Sequence, residues 1–340
     1  MKNYFLENIP DHSGLPGIPG RVTAVHKERY GIVTELGEGY ARLKTKNYYY
    51  EEGTFPTVGD FVMVLPVENG DSQIAATLPR RTGFSRREPG PIPREQAVAA
   101  NFDYVLILQS LNMDFNPKRL ERYMALAWQS GAQPVVLLTK QDLQEDYWDY
   151  LTAAERSAAG APVHVVSART GYGMERLKAY LQPGKTLVLL GSSGVGKSSL
   201  VNALAGEERM ATSAIREDDS KGRHTTTHRQ LISLGGGALI IDTPGMRELG
   251  MWEADQGLSE TFADVESFLG KCRFSDCSHG SEPGCAIRSA IEAGELDIAR
   301  WENYRKLKEE VVDKAEMLRR KNEWHKGLAK FTRQRKKEIW

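Results

Sequence analysis

Residues 191–199 read Gly191-Ser-Ser-Gly-Val-Gly-Lys-Ser-Ser199, a glycine-rich stretch between two segments of different character. An apolar run, residues 186–190, precedes it, and residues 200–204 read as the first turns of a helix. A strand, a glycine-rich loop and a helix in this order predict a phosphate-binding loop, because the loop N–H groups and the helix N-terminus face the same anion. We expect Lys197 to reach the β- and γ-phosphates of a nucleotide and Ser198 to bind Mg²⁺. The predicted phosphate-binding residues are Gly191, Ser192, Ser193, Gly194, Val195, Gly196, Lys197, Ser198 and Ser199.

The composition of the chain limits its class. At 340 residues it is long enough for two or three domains. The 45 Lys and Arg residues balance the 45 Asp and Glu residues, so net charge points to no partner. The N-terminus lacks an apolar stretch and the chain lacks a run of about 18 apolar residues, which predicts a cytoplasmic protein without a membrane span. Nothing in the composition requires more than a monomer.

Residues 1–90 are predicted to form a small β-barrel followed by a linker. Short β-rich segments lie at residues 21–25, 31–34, 40–43, 60–65 and 72–75, separated by Gly, Asn and Asp. This spacing is typical of a five-stranded barrel of the OB type. The basic, Pro- and Gly-rich residues 80–93 are interpreted as the linker.

Basic and aromatic residues of this region suit a groove for RNA. Two interpretations stay open, a nucleic-acid surface or a half-buried strand beside a solvated charged face. The residues concerned are Arg21, Lys27, Arg29, Tyr30, Arg42, Lys44, Lys46, Tyr48, Tyr49 and Tyr50.

Residues 91–251 are predicted to form an α/β domain. Apolar, strand-like segments lie at residues 102–108, 134–138, 162–166, 186–190 and 238–241, with helical segments at 119–129 and 175–181 between them. Strands that alternate with helices favour a parallel sheet covered on both faces, because each crossover packs a helix against the sheet.

Two short motifs follow the second and third of these strands. Thr139-Lys-Gln-Asp142 resembles the guanine-recognition motif of GTPases, usually written NKxD, and Ser167-Ala168 stands where GTPases keep a backbone contact to the base. A carboxylate at Asp142 can accept hydrogen bonds from the N1–H and the exocyclic amine of guanine, a pair that adenine does not offer. We expect the Lys140 stem to pack against the base, and Thr139 in place of Asn to weaken one base contact. The predicted base-binding residues are Thr139, Lys140, Gln141, Asp142, Ser167 and Ala168.

A polar segment and a second strand-end motif complete the parts of a GTPase. The segment contains Gly222-Arg-His-Thr-Thr-Thr-His228, and threonines in such a loop can close on Mg²⁺ and the γ-phosphate. We expect Thr226 (or Thr225) to bind Mg²⁺ there. In Asp242-Thr-Pro-Gly245 we expect Asp242 to hold Mg²⁺ through water and the Gly245 N–H to contact the γ-phosphate.

The order of the motifs is unusual. Ordinary GTPases run from the phosphate-binding loop through the threonine loop and DxxG to NKxD and SA, whereas this chain begins with the last two. The arrangement is therefore a circular permutation, which a fold tolerates when the joined and the new termini lie at the surface.

Residues 252–340 are predicted to form a helical zinc-binding domain with a basic tail. All three cysteines and one of the seven histidines lie in the pattern Cys272-x4-Cys277-x-His279-x5-Cys285. Three thiolates and one imidazole make a closed tetrahedral site, so we expect one structural zinc ion there. The chain from Ile287 onward is predicted to be helical, and the excess of Lys and Arg in residues 319–337 favours contact with RNA phosphates over a solvated helix end.

With these motifs, the chain is similar to the ribosome small-subunit-dependent GTPase A (RsgA) family. The resemblance rests on the OB-like barrel, the permuted order with GSSGVGKSS, GRHTTT and DTPG, and the Cys272/Cys277/His279/Cys285 cluster. It implies a late-acting assembly factor that binds the small ribosomal subunit and hydrolyses GTP there as a release switch. It further implies that the barrel and the zinc domain contact ribosomal RNA, and that GTP or GDP binds with Mg²⁺.

The residue that orients the attacking water is not given by the usual motif. Many GTPases place a Gln after DxxG for this purpose, but Met246 occupies that position here. We expect His224 to act instead, with Thr226 on Mg²⁺, because His224 is the polar side chain nearest the threonines that can bind water near neutral pH. A role for His224 in capping the loop or contacting RNA stays open.

Three classes of function are compatible with these residues, in decreasing order of support. The first is a ribosome-activated GTPase. The second is an RNA-binding scaffold with negligible turnover, whose nucleotide is mainly structural, and Met246 favours it. The third is a small-molecule kinase, which Asp142 and the basic tail disfavour.

Overall fold

The structure, a computed structural model, covers most of the chain. It describes residues 4, 8–26, 29–44, 54–87, 95–112, 114–207, 229–242, 251 and 254–311. Most of the described strands belong to one continuous sheet of eleven strands, which runs through the N-terminal and the central regions.

Five N-terminal strands close into a barrel. They are β1 (Ile18–Val25), β2 (Tyr30–Thr34), β3 (Gly37–Leu43), β4 (Phe61–Leu65) and β5 (Ser72–Thr77). The strands pair in the order β1-β2-β3-β5-β4, and β4 pairs again with β1. The β3–β5 pair is parallel and the others are antiparallel, and apolar side chains such as Val22, Ile32 and Ile74 fill the interior. The predicted OB-like barrel is confirmed.

A β-hairpin replaces part of the predicted linker. Strand β6 (Gly83–Arg87) pairs antiparallel with β7 (Glu95–Ala100). The linker prediction was wrong for residues 83–87, because Phe84 is buried and its ring stacks on Phe102 with centroids 4.9 Å apart. Burial of an aromatic ring outweighs the Pro and Gly content of the surrounding sequence.

The central domain has a sheet with helices on both faces. Its described strands are β8 (Tyr104–Ser110), β9 (Gln133–Thr139), β10 (Val163–Val165), β11 (Thr186–Leu190), β12 (Arg229–Ser233) and β13 (Leu239–Asp242). They lie in the order β10-β9-β8-β11-β13-β12, with β12 antiparallel to β13 and the other pairs parallel. Helices α1 (Pro117–Gln129) and α2 (Trp148–Ser157) cover one face. Helix α3 (Lys197–Ala205) and a 3₁₀ helix (Met174–Ala179) cover the other.

The predicted parallel sheet is confirmed, but α2, β12 and the hairpin strand β7 were not predicted. Each predicted strand overlaps an observed one, and the helix expected at residues 175–181 is the 3₁₀ helix. Helix α2 was not predicted; only its residues Ala154 and Ser157 are buried, so it contributes little to the apolar core. Strand β12 follows the polar segment directly and was also missed.

The barrel and the central sheet are joined edge to edge. The end of β1 pairs antiparallel with β12, so that Ala24 lies opposite Gln230 and Val25 opposite Arg229. The hydrogen-bonded sheet therefore passes from the central domain into the barrel without an interruption.

Arg21 stabilises this junction from the inside. It is 2% exposed, and its guanidinium donates to Thr186 Oγ1 at 2.9 Å and to the Asn101 and Gly59 carbonyl oxygens at 3.1 and 3.3 Å. Burial lowers the pKa of Arg21 to about 10, so the side chain is still charged at neutral pH. The interpretation of Arg21 as part of an RNA groove was wrong, because its charge is directed into the junction.

Four helices form the described C-terminal region, and the first and the last of them pack on α1. They are α4 (Asp255–Thr261), α5 (Ala263–Glu266), α6 (Ala286–Glu292) and α7 (Ile298–Glu310). The helix predicted from Ile287 onward is interrupted between α6 and α7, where Gly294 has a φ of 74° and the Asp297 carboxylate caps α7 by accepting from the Ala299 N–H.

Candidate nucleotide site and metal centre

The predicted phosphate-binding loop connects β11 to α3. Its backbone needs glycine at two points. Gly191 has a φ of 153°, and a Cβ there would lie 2.9 Å from the Leu108 carbonyl oxygen. Gly196, the residue before α3, has a φ of 105°. Because L side chains rarely adopt these angles, the glycines allow the tight turn from strand to helix that such a loop requires.

Lys197, the first residue of α3, folds back over the loop. Its Nζ donates to the carbonyl oxygens of Gly191 at 2.8 Å and Ser192 at 2.6 Å. The ammonium lies beside the N-terminus of α3. Its charge and the partial positive charge of the helix N-terminus both favour an anion at this place. Ser198 and Ser199 stand in the first turn of α3, and Ser193 and Gly194 form the exposed tip of the loop, while Val195 is buried beneath it.

Thr139 links the predicted base motif to the phosphate-binding loop. Its hydroxyl lies at the end of β9 and donates to the Val195 carbonyl oxygen at 2.7 Å. The Gln109 carbonyl oxygen lies 3.3 Å from the same hydroxyl. The motif at residues 139–142 and the loop at 191–199 therefore lie side by side, although the sequence separates them by about fifty residues.

Asp142 and Ser167 meet where β9 and β10 end. Lys140 adopts a left-handed conformation with a φ of 62° and begins the 3₁₀ helix Gln141–Leu143. The Ser167 hydroxyl donates to Asp142 Oδ1 at 2.6 Å, and the Arg169 guanidinium lies 3.7 Å from Oδ2. Ser167 holds the carboxylate in place, and Arg169 is largely exposed. The two halves of the predicted base site, including Ala168 beside Ser167, are thus close together.

Asp242 lies at the carboxyl end of β13, beside β11. Burial raises the pKa of Asp242 above its ordinary value, and the Lys197 ammonium opposes that rise. A partly buried carboxylate next to a lysine at this edge of the sheet suits the role predicted for Asp242 near Mg²⁺.

Several predicted positions lie outside the described residues. They are Thr225, Thr226 and His224 in the threonine loop, Gly245 and Met246 after β13, and the basic tail at residues 319–337. The roles assigned to them stay predictions.

Sequence reasoning missed a polar cluster on the α1 side of the phosphate-binding loop. Asp114, in the loop between β8 and α1, accepts a hydrogen bond from Ser192 Oγ at 2.5 Å. Its other partner is Arg119 in the first turn of α1, with an Nη2 to Oδ2 distance of 3.0 Å. A weak signal was present, because Asn116 followed by Pro117 predicts a helix start directly after Asp114.

The four predicted metal ligands come together. One ligand atom from each of Cys272, Cys277, His279 and Cys285 lies within 4.8 Å of the others. His279 Nδ1 is 3.5 Å from the Sγ atoms of both Cys272 and Cys285. Tetrahedral zinc with ordinary Zn–S and Zn–N bonds would separate such atoms by about 3.6 Å. The donor set and its spacing therefore fit one zinc ion.

The surroundings of the four ligands favour this arrangement. The Ala286 N–H donates to Cys272 Sγ at 3.3 Å, and a hydrogen bond of this kind stabilises the thiolate that a metal requires. The Glu282 carboxylate accepts from the N–H groups of Ser278 and Gly280 and so fixes the turn that carries His279. The His279 ring packs edge-on against Trp301 of α7, with centroids 5.4 Å apart.

About half of the basic and aromatic residues predicted for the barrel surface lie in the part of the chain that the structure describes. The Arg29 guanidinium lies over the Tyr40 ring at 4.0 Å, and Arg29 and Arg42 both form ion pairs with Asp71. Arg21 is buried, and Lys27, Lys46 and Tyr48–50 are outside the described residues. Two of the predicted basic groups are thus partly neutralised, and the choice between an RNA groove and a solvated face stays open.

The sequence comparisons identify the family. A sequence model described as RsgA GTPase matches residues 77–252, more than half of the chain, which include both motifs of the nucleotide site. The chain belongs to the RsgA GTPase family. Its enzymatic class is accordingly that of a GTP hydrolase.

Individual relatives extend this similarity to most of the chain. The chain is 51% identical over 294 residues to the small ribosomal subunit biogenesis GTPase RsgA 1 of Listeria monocytogenes, which covers 86% of this chain and 83% of that protein. The crystal structure of YjeQ from Thermotoga maritima is similar with a TM-score of 0.62 and 28% identity, over 85% of this chain and 96% of that chain. The crystal structure of YloQ, described as a circularly permuted GTPase, shares the fold with a TM-score of 0.56 and 24% identity, over 88% of this chain and 98% of that chain.

None of the helices in the described part of the chain combines the length and the apolar character that crossing a bilayer requires.

Proposed function

We propose that this chain is a GTPase of small-ribosomal-subunit maturation, activated by the subunit and released by hydrolysis. The name of the Listeria monocytogenes relative, a small ribosomal subunit biogenesis GTPase, supports this role. The observation that carries the proposal is the hydrogen bond from Thr139 to Val195, because it unites a guanine-type motif and a phosphate-binding loop in one permuted domain. On this proposal the chain works as a monomer in the cytoplasm, and its barrel and C-terminal region contact ribosomal RNA.

The nucleotide would lie along the carboxyl edge of the sheet. Asp142 would accept from guanine while Ser167 holds its carboxylate, and Lys140 and Ala168 would flank the base. Lys197 would exchange its loop carbonyl partners for phosphate oxygens. Ser198 and Asp242 would hold the Mg²⁺ that accompanies GTP, and the ion would supply positive charge against the charge that develops in the transition state.

The four ligands Cys272, Cys277, His279 and Cys285 would hold a structural zinc ion. With three thiolates and one imidazole, no coordination position is left for water or substrate. The ion would therefore stabilise the C-terminal region without taking part in hydrolysis.

His224 is our candidate for positioning the attacking water, with Thr226 on Mg²⁺ and the Gly245 N–H on the γ-phosphate. The motive is chemical, because Met246 offers no useful hydrogen bond to water. In a His224→Ala variant we expect GTP binding to persist and subunit-stimulated turnover to fall by about 100-fold. Full stimulated turnover in this variant would show that His224 caps the loop or contacts RNA instead.

Permutation connects the nucleotide site to the C-terminal region over a short distance. Strand β13 ends at Asp242 and α4 begins at Asp255, so residues 243–254 are the whole connection. Loss of the γ-phosphate on hydrolysis would therefore act through this connection on the C-terminal region, which is proposed to contact RNA. By reciprocity, GTP and GDP states should then differ in affinity for the small subunit.

Co-sedimentation of the full chain with purified small subunits tests this coupling. We expect the chain bound to a non-hydrolysable GTP analogue to pellet with the subunits at concentrations about tenfold lower than the GDP-bound chain needs. The large subunit serves as the control. Equal affinities in both nucleotide states would refute the release switch.

The second candidate is an RNA-binding scaffold whose nucleotide is mainly structural. Met246 favours it, because the usual water-orienting residue is missing. A scaffold of this kind would bind the subunit equally well as the GTP analogue complex and the GDP complex, and it would show negligible turnover with or without the subunit.

A further inference from the structure

Asp114 contacts the phosphate-binding loop from outside the recognised motifs. Its carboxylate accepts from the Ser192 hydroxyl at 2.5 Å, and Ser192 is the second residue of the loop. The Asp114 backbone has a partner of its own, because the Asn112 side chain accepts from the Asp114 N–H at 3.0 Å and from the Ser110 hydroxyl at 2.8 Å. Asp114 is therefore a fixed acceptor for Ser192.

Arg119 neutralises this carboxylate. Its Nη1 and Nη2 lie 3.1 and 3.0 Å from the two Asp114 oxygens, and Nη2 also donates to Gln109 Oε1 at 3.2 Å. Burial raises the pKa of Asp114, but the bonds from Ser192 and Arg119 outweigh it, so the pKa lies below the ordinary value. The group is thus ionised at neutral pH and paired with a cation.

Two buried donors of this cluster have no acceptor among the described residues. Gln109 is fully buried, and its Nε2 has no acceptor among the described residues. The buried Nε atom of Arg119 also has no acceptor among them. Buried donors without acceptors destabilise a fold, and such exceptions occur where a polar group has another task. The neighbouring Ser192 belongs to the loop that would contact phosphate.

We propose that Asp114 is a positioning residue for nucleotide binding. By holding the Ser192 hydroxyl it fixes the start of the phosphate-binding loop, and Arg119 cancels the negative charge that would otherwise repel the phosphates. The inference rests on the proposed role of this loop. It assigns to the β8–α1 connection a function that the family motifs do not contain.

The proposal differs from a purely structural role in its consequences. If Asp114 acts through Ser192, removing either side chain loosens the same part of the loop, so the effects on nucleotide affinity should not multiply. Because the loop would contact the phosphates of GTP and GDP alike, the loss should appear in KM for GTP and in Kd for GDP more than in kcat.

The test is a double-mutant cycle on the full chain, read out by binding of a fluorescent GDP analogue and by thermal unfolding. We expect Asp114→Ala and Ser192→Ala each to weaken binding by about tenfold, and the double variant to bind no more than about twofold weaker than the weaker single variant. Asp114→Asn keeps an acceptor for Ser192 and should recover most of the affinity. The control Asp149→Asn changes an exposed aspartate of α2 and should leave binding unchanged.

Two results would overturn the proposal. One is a GDP affinity of Asp114→Ala within about twofold of the wild type, and the other is a double variant whose loss equals the product of the single losses. If Asp114→Ala does not fold, the other two variants still test the proposal. The proposal requires that Ser192→Ala loses affinity for GDP while Asp114→Asn keeps most of it. Failure of the wild-type chain itself to bind GDP would instead contradict the proposed function.

Discussion

Thr139 occupies a position where GTPases usually carry Asn, and its hydroxyl has a definite partner. A hydroxyl has a single hydrogen to donate, and Thr139 directs it to the Val195 carbonyl oxygen. No donor is left for the base from this side chain. The weakened base contact expected from the sequence stays a prediction, but the structure shows what Thr139 does instead: it ties the base motif to the phosphate-binding loop.

The first prediction concerns the recognition of guanine by Asp142. An Asp142→Asn variant replaces one acceptor oxygen by a donor, which would face the exocyclic amine of guanine. We expect the affinity for GDP to fall by about 100-fold, and the affinity for xanthosine diphosphate, which carries a carbonyl there, to rise above that for GDP. Binding of GDP, xanthosine diphosphate and ADP to the full chain measures this.

Asp146→Asn is the matched control, since Asp146 is exposed and lies four residues further along the chain. It should bind all three nucleotides as the wild type does. An Asp142→Asn variant that kept the wild-type order of affinities would show that Asp142 does not read the base.

The C-terminal region packs on helix α1. Glu121 is buried there; Arg300 Nη1 donates to its Oε1 at 2.9 Å, and the Asn303 amide also donates to it. Burial raises the pKa of Glu121, while Asn303 and Arg300 oppose the rise. Arg300 in turn pairs with Asp264 at 2.6 Å, so one arginine links α1, α5 and α7.

Gly257 of α4 approaches the α1 backbone so closely that no side chain fits. A Cβ at this position would lie 2.0 Å from the Ala125 carbonyl oxygen and 2.8 Å from the Gln129 nitrogen. Alanine favours an isolated helix over glycine, yet here we expect Gly257→Ala to destabilise the chain by about 2–3 kcal/mol, because two backbones must move apart. Thermal unfolding should show a midpoint lower by about 3–4 °C.

Gly39→Ala provides the comparison, because a Cβ at Gly39 meets nothing within 4 Å. We expect this variant to unfold at the wild-type temperature. If Gly257→Ala also unfolded at the wild-type temperature, this result would contradict the close approach of α4 to α1.

The Cys3His cluster gives a prediction for metal removal. We expect one zinc ion per purified chain, and none after His279→Ala, whereas His12→Ala should keep it. Without zinc, residues 270–286 should become sensitive to limited proteolysis, because the ligands supply much of what fixes this segment. The affinity for GDP should stay within about twofold, since the nucleotide residues lie on other elements. A chain that is purified without zinc and resists protease would contradict the prediction.

The elements that sequence reasoning predicted are those with strong local signals. The barrel strands and the parallel strands are dense in β-branched and apolar residues, and glycines and polar residues separate them. Strand β6 was missed because one phenylalanine, Phe84, decides its burial within a Pro- and Gly-rich segment. Helix α2 was missed because it lies at the surface, where Trp148 is exposed and only Ala154 and Ser157 are buried.

The candidate site was predictable where it consists of motifs and not where it consists of pairings between distant residues. The phosphate loop, the base motif and the four metal ligands follow from spacing alone. Asp114 lies 78 positions from Ser192, and Arg21 lies 165 positions from Thr186. Neither has a sequence pattern that marks its partner, so a structure was needed to find the contact.

At the scale of the whole molecule, one sheet connects the barrel with the nucleotide domain. Strand β12 pairs with β1 on one side and with β13 on the other, and β13 ends at Asp242. The barrel is therefore hydrogen-bonded to a strand that lies next to the predicted Mg²⁺ ligand, while the C-terminal region continues from β13 and packs on α1. Both regions proposed to contact RNA are thus attached directly to the nucleotide domain. This arrangement suits a protein in which the bound nucleotide changes the affinity for a large RNA partner.

GTP hydrolysis by the full chain with and without purified small ribosomal subunits, with ATP as the control, is the most direct test of the proposed function. We expect slow hydrolysis of GTP by the chain alone, an increase of at least about tenfold when small subunits are added, and no hydrolysis of ATP above background in either condition. Equally slow hydrolysis of GTP with and without the subunits would contradict a subunit-activated GTPase and would favour the scaffold.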